Sequence, residues 1–503
     1  MSPRRRPRWF ALAAVALLPL AASAERRSTI DVPAVPARPW FACVGSIAAE
    51  SQPIAGTSSD LEFAVARRGA WLDGPEVRAL ETAGDGESGV DDAFLDPERL
   101  TVVRMWPIEA EQERQPARAE WPGRPVTLAV AWPTASGYVN LLVDLDRPGR
   151  WLLELAAASQ QAGALDAWML GHAVRPTGSL AAACREARAA FDAAGRAPGA
   201  SGALQRAAWG ERALHAVTAA YALALSSTPI GDCTAATVGI TVNDEAAVAP
   251  SVRAIRRRPA GASAPAARVV ISPSLALDEA ASMVRRIRDS GASVMVQPVD
   301  SADLASMTPE GVAARVRELA STLGPVQGWE IGNEVNGAWA GQGTIDKVLA
   351  AAGALGAAPP ARMLTLAWQL GEDDEAHSLF TWLDRHLTPE VLAVTDSVGL
   401  SIYPENAPMG PAAFERVLQT LRSRVGDRPI VVSELGYWSG DLSHRWWWGD
   451  RADPTGRGRR AVFGLYERAS RRVAPCGGGT FWWYFGAEVA SDEATLRTWL
   501  AAS

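Results

Sequence analysis

The sequence predicts an α/β protein whose C-terminal part is a (β/α)8 barrel, preceded by a β-sandwich-like region and a helical connector. Three observations predict it. Near-continuous apolar runs alternate with amphipathic helical stretches from about Thr234 onward. Short β-rich runs without intervening helices fill the first third. Between them the apolar period changes from that of strands to that of helices.

In the barrel region the predicted strands are Thr237–Val242, Ala267–Ile271, Ser293–Pro298, Gly328–Gly332, Met363–Ala367, Val398–Ile402, Pro429–Ser433 and Thr480–Tyr484. Helical stretches such as Asp278–Asp289, Pro309–Leu323, Ile345–Leu355, Pro411–Val425 and Gly458–Val473 separate them. Apolar strands joined by helices give a parallel sheet, and eight such units over roughly 270 residues match a closed barrel. Upstream, strands are expected at Leu61–Ala66, Leu100–Trp106, Val126–Trp132, Tyr138–Leu145 and Trp151–Leu155, punctuated by Pro, Gly and Asp. A helix capped by Ser179 is expected over Ala181–Ala194, and a second over Ala203–Leu225. The resulting layout is a leader at 1–24, an accessory β region at 25–177, a helical hairpin at 178–232 and the barrel at 233–503.

The first eight residues are basic, Trp9–Ala22 is apolar, and Ala22-Ser23-Ala24 is a small-x-small cleavage site. The chain therefore reads as exported to the periplasm or beyond. No later run is long enough to span a bilayer. Net charge is −7, and the leader holds Arg4, Arg5, Arg6 and Arg8 without an acid, so the remainder is more acidic still. Such a chain is a poor binder of nucleic acid. Cys43, Cys184, Cys233 and Cys476 form no CxxC pair. Oxidising conditions permit disulfides, and barrel closure would bring Cys233 and Cys476 to neighbouring strands at the bottom rim. A Cys233–Cys476 bond is expected on that ground.

Chemistry in such barrels gathers at the C-terminal ends of the strands. Asn333-Glu334 ends strand 4 and Glu434 ends strand 7. Tyr403-Pro404-Glu405-Asn406 follows strand 6, and Trp482-Trp483-Tyr484 lies in strand 8. Two carboxylates facing one another suit glycosidic bond cleavage, which needs an acid for the leaving oxygen and a carboxylate for the oxocarbenium-like centre. Glu330 lies deeper in strand 4 and reads as a structural carboxylate paired with an arginine or hydroxyl. Trp339 and Trp438 follow the two Glu motifs and are candidates for sugar stacking. Trp368 could stack on sugar or pack in the core. Glu405 and Asn406 sit on a loop, where sugar binding and simple hydration are equally open. The Trp446-Trp447-Trp448 run either folds onto the barrel or forms an aromatic platform.

With those motifs in those positions, the barrel resembles clan A of the retaining glycoside hydrolases. The resemblance covers about Thr237–Tyr484. It implies Glu334 as acid/base, Glu434 as nucleophile, and Asn333 as partner of a sugar 2-hydroxyl. It implies Tyr403 as donor to the nucleophile, and Trp482 or Trp483 as the floor of the central subsite. It also implies an arginine near strand 2, which Ile271-Ser272-Pro273-Ser274 does not supply. Strand 3 ends in Gln297-Pro298-Val299-Asp300, without the histidine some members have. A poly- or oligosaccharide is the expected substrate. The rival is a non-catalytic glycan-binding or polysaccharide-assembly protein on the same barrel.

Other chemistries find little support. Gly84-Asp85-Gly86-Glu87-Ser88-Gly89 matches GxGxxG in letters only, with no strand before it and no helix directly after. His172, His215, His377, His386 and His444 show no ligand spacing, and no GxSxG elbow or phosphate loop appears. No metal or cofactor is expected.

Overall fold

The computed structural model describes residues 42–45, 58–81, 92–109, 113, 115–134, 137–197, 202–227, 237–259, 264–356, 360–370, 374–404, 409–436, 457–473 and 479–502. The leader, the 84–89 loop, Glu405, Asn406, Trp438, Trp446-Trp447-Trp448 and the Cys233–Cys476 pair lie outside these residues.

All eight expected barrel strands form. They are β1 (Thr237–Val242), β2 (Ala266–Val270), β3 (Ser293–Gln297), β4 (Gly328–Gly332), β5 (Ala361–Ala367), β6 (Ser397–Ile402), β7 (Ile430–Leu435) and β8 (Gly479–Trp482). Each pairs in parallel with the next, and β1 pairs with β8 through Thr237–Gly479 and Ile240–Trp482, closing the barrel. Helices cover the outside. Their starts carry the expected chemistry: Asp244 accepts from Ala247 N at 2.7 Å, and Thr308 precedes Pro309 and accepts from Gly311 N at 3.1 Å. Among the described residues no helix is long and apolar enough to cross a membrane.

The pairing is irregular at three places. Register shifts fall between Glu330 and Gly332 in β4, Gly399 and Ser401 in β6, and Val432 and Leu435 in β7. A bulge re-aims the side chains beyond it. All three lie just below the strand ends that carry Asn333, Glu334, Tyr403 and Glu434. Gly399 is forced by packing: a Cβ there would meet Ser433 Oγ and Thr365 Oγ1, each at 2.5 Å.

Among the described residues three sheets precede the barrel: a two-stranded ladder of Ala66–Arg67 with Ala70–Trp71, and two larger ones. One joins Leu61–Ala64 to Ala117–Ala119 (antiparallel) and Gly149–Leu152 (parallel). The other is antiparallel, in the order Val102–Met105, Ala93–Leu95, Val126–Thr134, Gly137–Leu145. Phe63, Phe94, Trp132 and Trp151 fill a core between them and the helices.

One expectation fails here. Trp151–Leu155 is not a strand: extended structure stops at Leu152, and Leu153–Gly171 is a helix. Its first six residues are buried on every side, so they show no helical period to read. The alanine-rich run that follows favours the helix by propensity. The expected hairpin is present as Gly178–Arg196 and Ala203–Ser227. Its first helix starts after Thr177, which makes no side-chain cap bond, rather than at Ser179.

A Cys43–Cys184 disulfide ties the segment 42–45 to the first hairpin helix. Asp166 accepts the backbone N–H of Gly45 at 2.8 Å and of Val44 at 3.2 Å, and also that of Cys43. Arg188 donates to the carbonyls of Cys43 and Ala42, each at 2.6 Å. The upstream part is fastened to the barrel by polar contacts. Arg416 donates to Asp144 at 2.9 Å and to Pro97 O at 2.7 Å, and Val102 N donates to Thr381 Oγ1 at 3.0 Å.

Candidate active site

Glu330, Asn333, Glu334, Arg268, Ser401, Tyr403 and Glu434 form one connected cluster at the C-terminal end of the barrel. Its base is an ion pair. Arg268, inside β2, is fully buried and grips Glu330 with Nε at 2.7 Å and Nη2 at 3.0 Å. This two-point grip suits the planar guanidinium. The same Nη2 also donates to Glu434 Oε1 at 2.6 Å. Burial disfavours the arginine's charge, but Glu330 and Glu434 outweigh it and hold the group protonated. The structural reading of Glu330 matches this pairing.

Glu434 is surrounded by donors. Besides Arg268, Asn333 Nδ2 donates to Oε1 at 2.7 Å. Tyr403 Oη donates to Oε2 at 2.6 Å. Asn333 is oriented by Ser301 N, which donates to its Oδ1 at 3.0 Å and so turns the amide nitrogen toward Glu434. Burial pushes the Glu434 carboxyl above the ordinary range, while Arg268, Tyr403 and Asn333 favour its ionised form. Tyr403 is pushed well above the ordinary tyrosine range, first by burial and then by Glu434, so it stays a donor.

Glu334 is held differently. Its backbone is left-handed, with φ 44°. For a residue with a Cβ that conformation costs on the order of 1–2 kcal/mol. Its donors are all neutral. Ser301 Oγ and Trp339 Nε1 reach Oε2 at 2.9 and 3.0 Å, and Ser401 Oγ reaches Oε1 at 2.5 Å. Burial, followed by the nearby Glu434 charge, raises its pKa to about 7. The two glutamates thus differ by environment: Glu434 has a cation and Glu334 does not.

Ser401 Oγ also lies 3.3 Å from Glu434 Oε2. The nearest oxygens of the two carboxylates are therefore separated by no more than the sum of the two Ser401 distances, about 5.8 Å. The short helix Ser301–Leu304 is itself anchored: the buried Lys347 donates to Leu304 O at 2.9 Å.

The remaining expected residues divide. Trp339 lies at the mouth, 42 % exposed. Trp483 has Arg268 over its ring at 5.2 Å. Trp482 is corrected: it is fully buried, donates to Glu488 Oε2 at 2.7 Å and packs on Phe463, away from the cluster. It faces the layer between barrel and helices, which an apolar residue within β8 does by alternation. Trp368 is buried as well. Asn336 is structural, joining the β4 loop to Ala367 and His377 O.

Arg268 and Ser401 of the cluster, and Ser301 beside it, escaped sequence reading. The arginine sought beyond β2 sits inside it, in Ala266-Ala267-Arg268-Val269-Val270. An arginine within a buried apolar strand is itself a signal that a carboxylate partner exists. Ser401 could have been found by period, since it shares a strand face with Tyr403 two residues on. Ser301 begins the short helix Ser301–Leu304, which has no such pattern. Among the described residues no group of His, Cys, Asp and Glu is arranged to hold a metal ion.

No family profile matches the sequence, and no curated protein matches it. Solved structures give weak likenesses. A fungal β-1,4-galactanase matches at TM-score 0.33 and 15% identity, over 47% of this chain and 80% of its own. An endo-1,4-β-D-mannanase from Thermotoga petrophila matches at 0.33 and 11%, over 49% and 88%. A mandelate racemase/muconate lactonizing enzyme-like protein from Rubrobacter xylanophilus matches at 0.27 and 12%, over 78% and 86%.

Proposed function

We propose that the chain is an exported retaining glycoside hydrolase acting on a poly- or oligosaccharide, with Glu334 as acid/base and Glu434 as nucleophile. The observation that carries this is the pair of unequal carboxylates within reach of one hydroxyl. Their nearest oxygens lie within about 5.8 Å. Retaining enzymes hold the two groups about 5–5.5 Å apart, and inverting ones about 6.5–9.5 Å. One hydroxyl reaching both carboxylates supports the closer, retaining arrangement.

The division of labour follows from the donors. An acid must keep its proton near neutral pH, and Glu334, raised to about 7, does so. A nucleophile must be ionised, and Arg268, Asn333 and Tyr403 all favour that form of Glu434. Glu434 attacks the anomeric carbon while Glu334 protonates the departing oxygen. Glu334 then takes a proton from the water that releases the sugar. Trp339 and Trp483 would supply apolar faces for the sugar rings. The Cys43–Cys184 disulfide supports export, since such bonds persist in oxidising compartments. The non-catalytic rival rests on a missing strand 2 arginine and on the extra N-terminal regions, and Arg268 counts against the first of these.

The test is a reducing-end assay across a glycan panel with wild type, Glu334→Ala and Glu434→Ala. Turnover should vanish in Glu434→Ala with the fold intact. Added azide should then give a glycosyl azide of inverted configuration. Undiminished turnover in that variant refutes the assignment. Glycan binding without release of reducing ends by the wild type favours the non-catalytic rival.

A further inference from the structure

Ser401 is 3 % exposed, and its hydroxyl lies between the two carboxylates. The other donors are already divided. Ser301 and Trp339 serve Glu334 Oε2, whereas Arg268 and Asn333 serve Glu434 Oε1. The two remaining oxygens, Glu334 Oε1 and Glu434 Oε2, are the ones Ser401 Oγ reaches, at 2.5 and 3.3 Å. Tyr403 supports the second of these but not the first. A serine hydroxyl has one hydrogen and rotates freely, so it donates to one carboxylate at a time.

We propose that Ser401 is a positioning residue whose single hydroxyl hydrogen follows the negative charge between Glu434 and Glu334 through the two steps of the reaction. The proposal rests on the roles given above to the two glutamates. In the resting site Glu334 holds its proton and Glu434 the charge, so Ser401 turns to Glu434. In the first step Glu434 bonds to the anomeric carbon and the glycosidic C–O bond breaks. The electron pair goes to the leaving oxygen, which takes the Glu334 proton. The charge now lies on Glu334, and Glu434 is a neutral ester. Ser401 turns to Glu334 Oε1. In the second step water gives a proton to Glu334 and its oxygen to the anomeric carbon. The ester bond breaks, the charge returns to Glu434, and the hydroxyl swings back. No proton passes through Ser401; a rotation about one C–O bond is enough.

Ser401 therefore sets when Glu334 loses its proton, and this can be measured without turnover. The experiment is a pH titration of the Glu334 carboxyl by infrared difference spectroscopy on the full chain. Subtraction of Glu334→Gln identifies the band. Removing a donor to an ionised group raises its titration point. In Ser401→Ala the point should rise by about one pH unit, the equivalent of one charge-assisted hydrogen bond. Ser401→Thr should restore it. Ser401→Cys, a much weaker donor of similar size, should reproduce the rise if the alanine variant does not fold. The basic limb of kcat/KM should move with the titration. The second step should slow about tenfold, with KM falling as the ester accumulates. An unmoved Glu334 titration in a folded Ala or Cys variant overturns the proposal. If Glu434→Ala is then still inactive, the glycosidase reading stands without it. A moved titration with no turnover on any glycan sinks that reading, and with it the cycle proposed for the hydroxyl.

Discussion

Arg268 and Glu434 meet in a 2.6 Å ion pair whose arginine is wholly buried. The same guanidinium holds Glu330, so one cation serves two carboxylates. Breaking a buried pair from one side leaves uncompensated charge and costs about 3–5 kcal/mol. Arg268→Met should lose stability of that order in denaturant unfolding at neutral pH, and should lose activity too. Arg268→Met combined with Glu330→Leu should recover only part of the stability, because it removes the unpaired charge of Glu330 but leaves Glu434 buried without a cation. Activity should not return, since Glu434 still lacks its cation. A single variant as stable as wild type would show that the pair is not holding the barrel centre together.

Glu334 makes a contrary prediction for stability. Its folded pKa, about 7, is raised above the ordinary value of 4.5. The folded state then holds its proton more tightly than the unfolded one. The associated stability is fully present below about pH 4.5 and is lost as pH rises through about 7. Glu334→Gln cannot ionise. It should match wild type near pH 4 and exceed it at pH 8, by up to about 3 kcal/mol. Parallel denaturation curves at the two pH values check this. In the wild type, kcat/KM should fall above about pH 7 as the acid is lost.

What could be read in advance follows physical lines. The eight barrel strands were legible because each is a short apolar run between helices of clear period. Asn333-Glu334 and Glu434 were legible because barrel topology sends strand ends to one mouth. Leu153–Gly171 was not, since a helix start buried on all sides has no polar face to mark its period. Trp482 and Trp483 were indistinguishable because one ends β8 and the other begins a turn, where alternation no longer holds. Arg268 was missed by looking past the strand instead of within it. Ser401 was legible by its place two residues before Tyr403 on the same face, but a lone strand serine carries no mark of the two carboxylates it meets.

The Cys43–Cys184 bond closes a span of 141 residues. Cross-links of long loops stabilise typically by about 2–4 kcal/mol. Cys184→Ser should lower stability by roughly that amount. The bond sits on the helical hairpin, away from β4 and β7, so turnover per folded molecule should be unchanged. Denaturation and active-site-normalised kcat together test this. A fall in kcat at full folding would tie the upstream segment to the chemistry.

Gly337 offers a way to move Trp339 without touching it. Gly337 has φ −71° and ψ 142°, a conformation any residue adopts. Alanine there is no strain on the backbone. The added Cβ, however, would lie 2.3 Å from Cε2 of the Trp339 indole. The ring must shift, and it can, because 42 % of the residue is open to solvent. Shifting it breaks the 3.0 Å bond from Nε1 to Glu334 Oε2. That bond favours the ionised form of Glu334, so its loss should raise the basic limb of kcat/KM. Trp339→Phe, which keeps a ring but removes the N–H, should raise the limb similarly. The two variants should part in KM. The displaced indole of Gly337→Ala should weaken oligosaccharide binding more than Phe does, by about tenfold, if stacking is worth on the order of 1 kcal/mol or more. Thermal stability should stay near wild type in both. A Gly337→Ala enzyme with the wild-type pH profile would mean that the indole does not help set the protonation of Glu334.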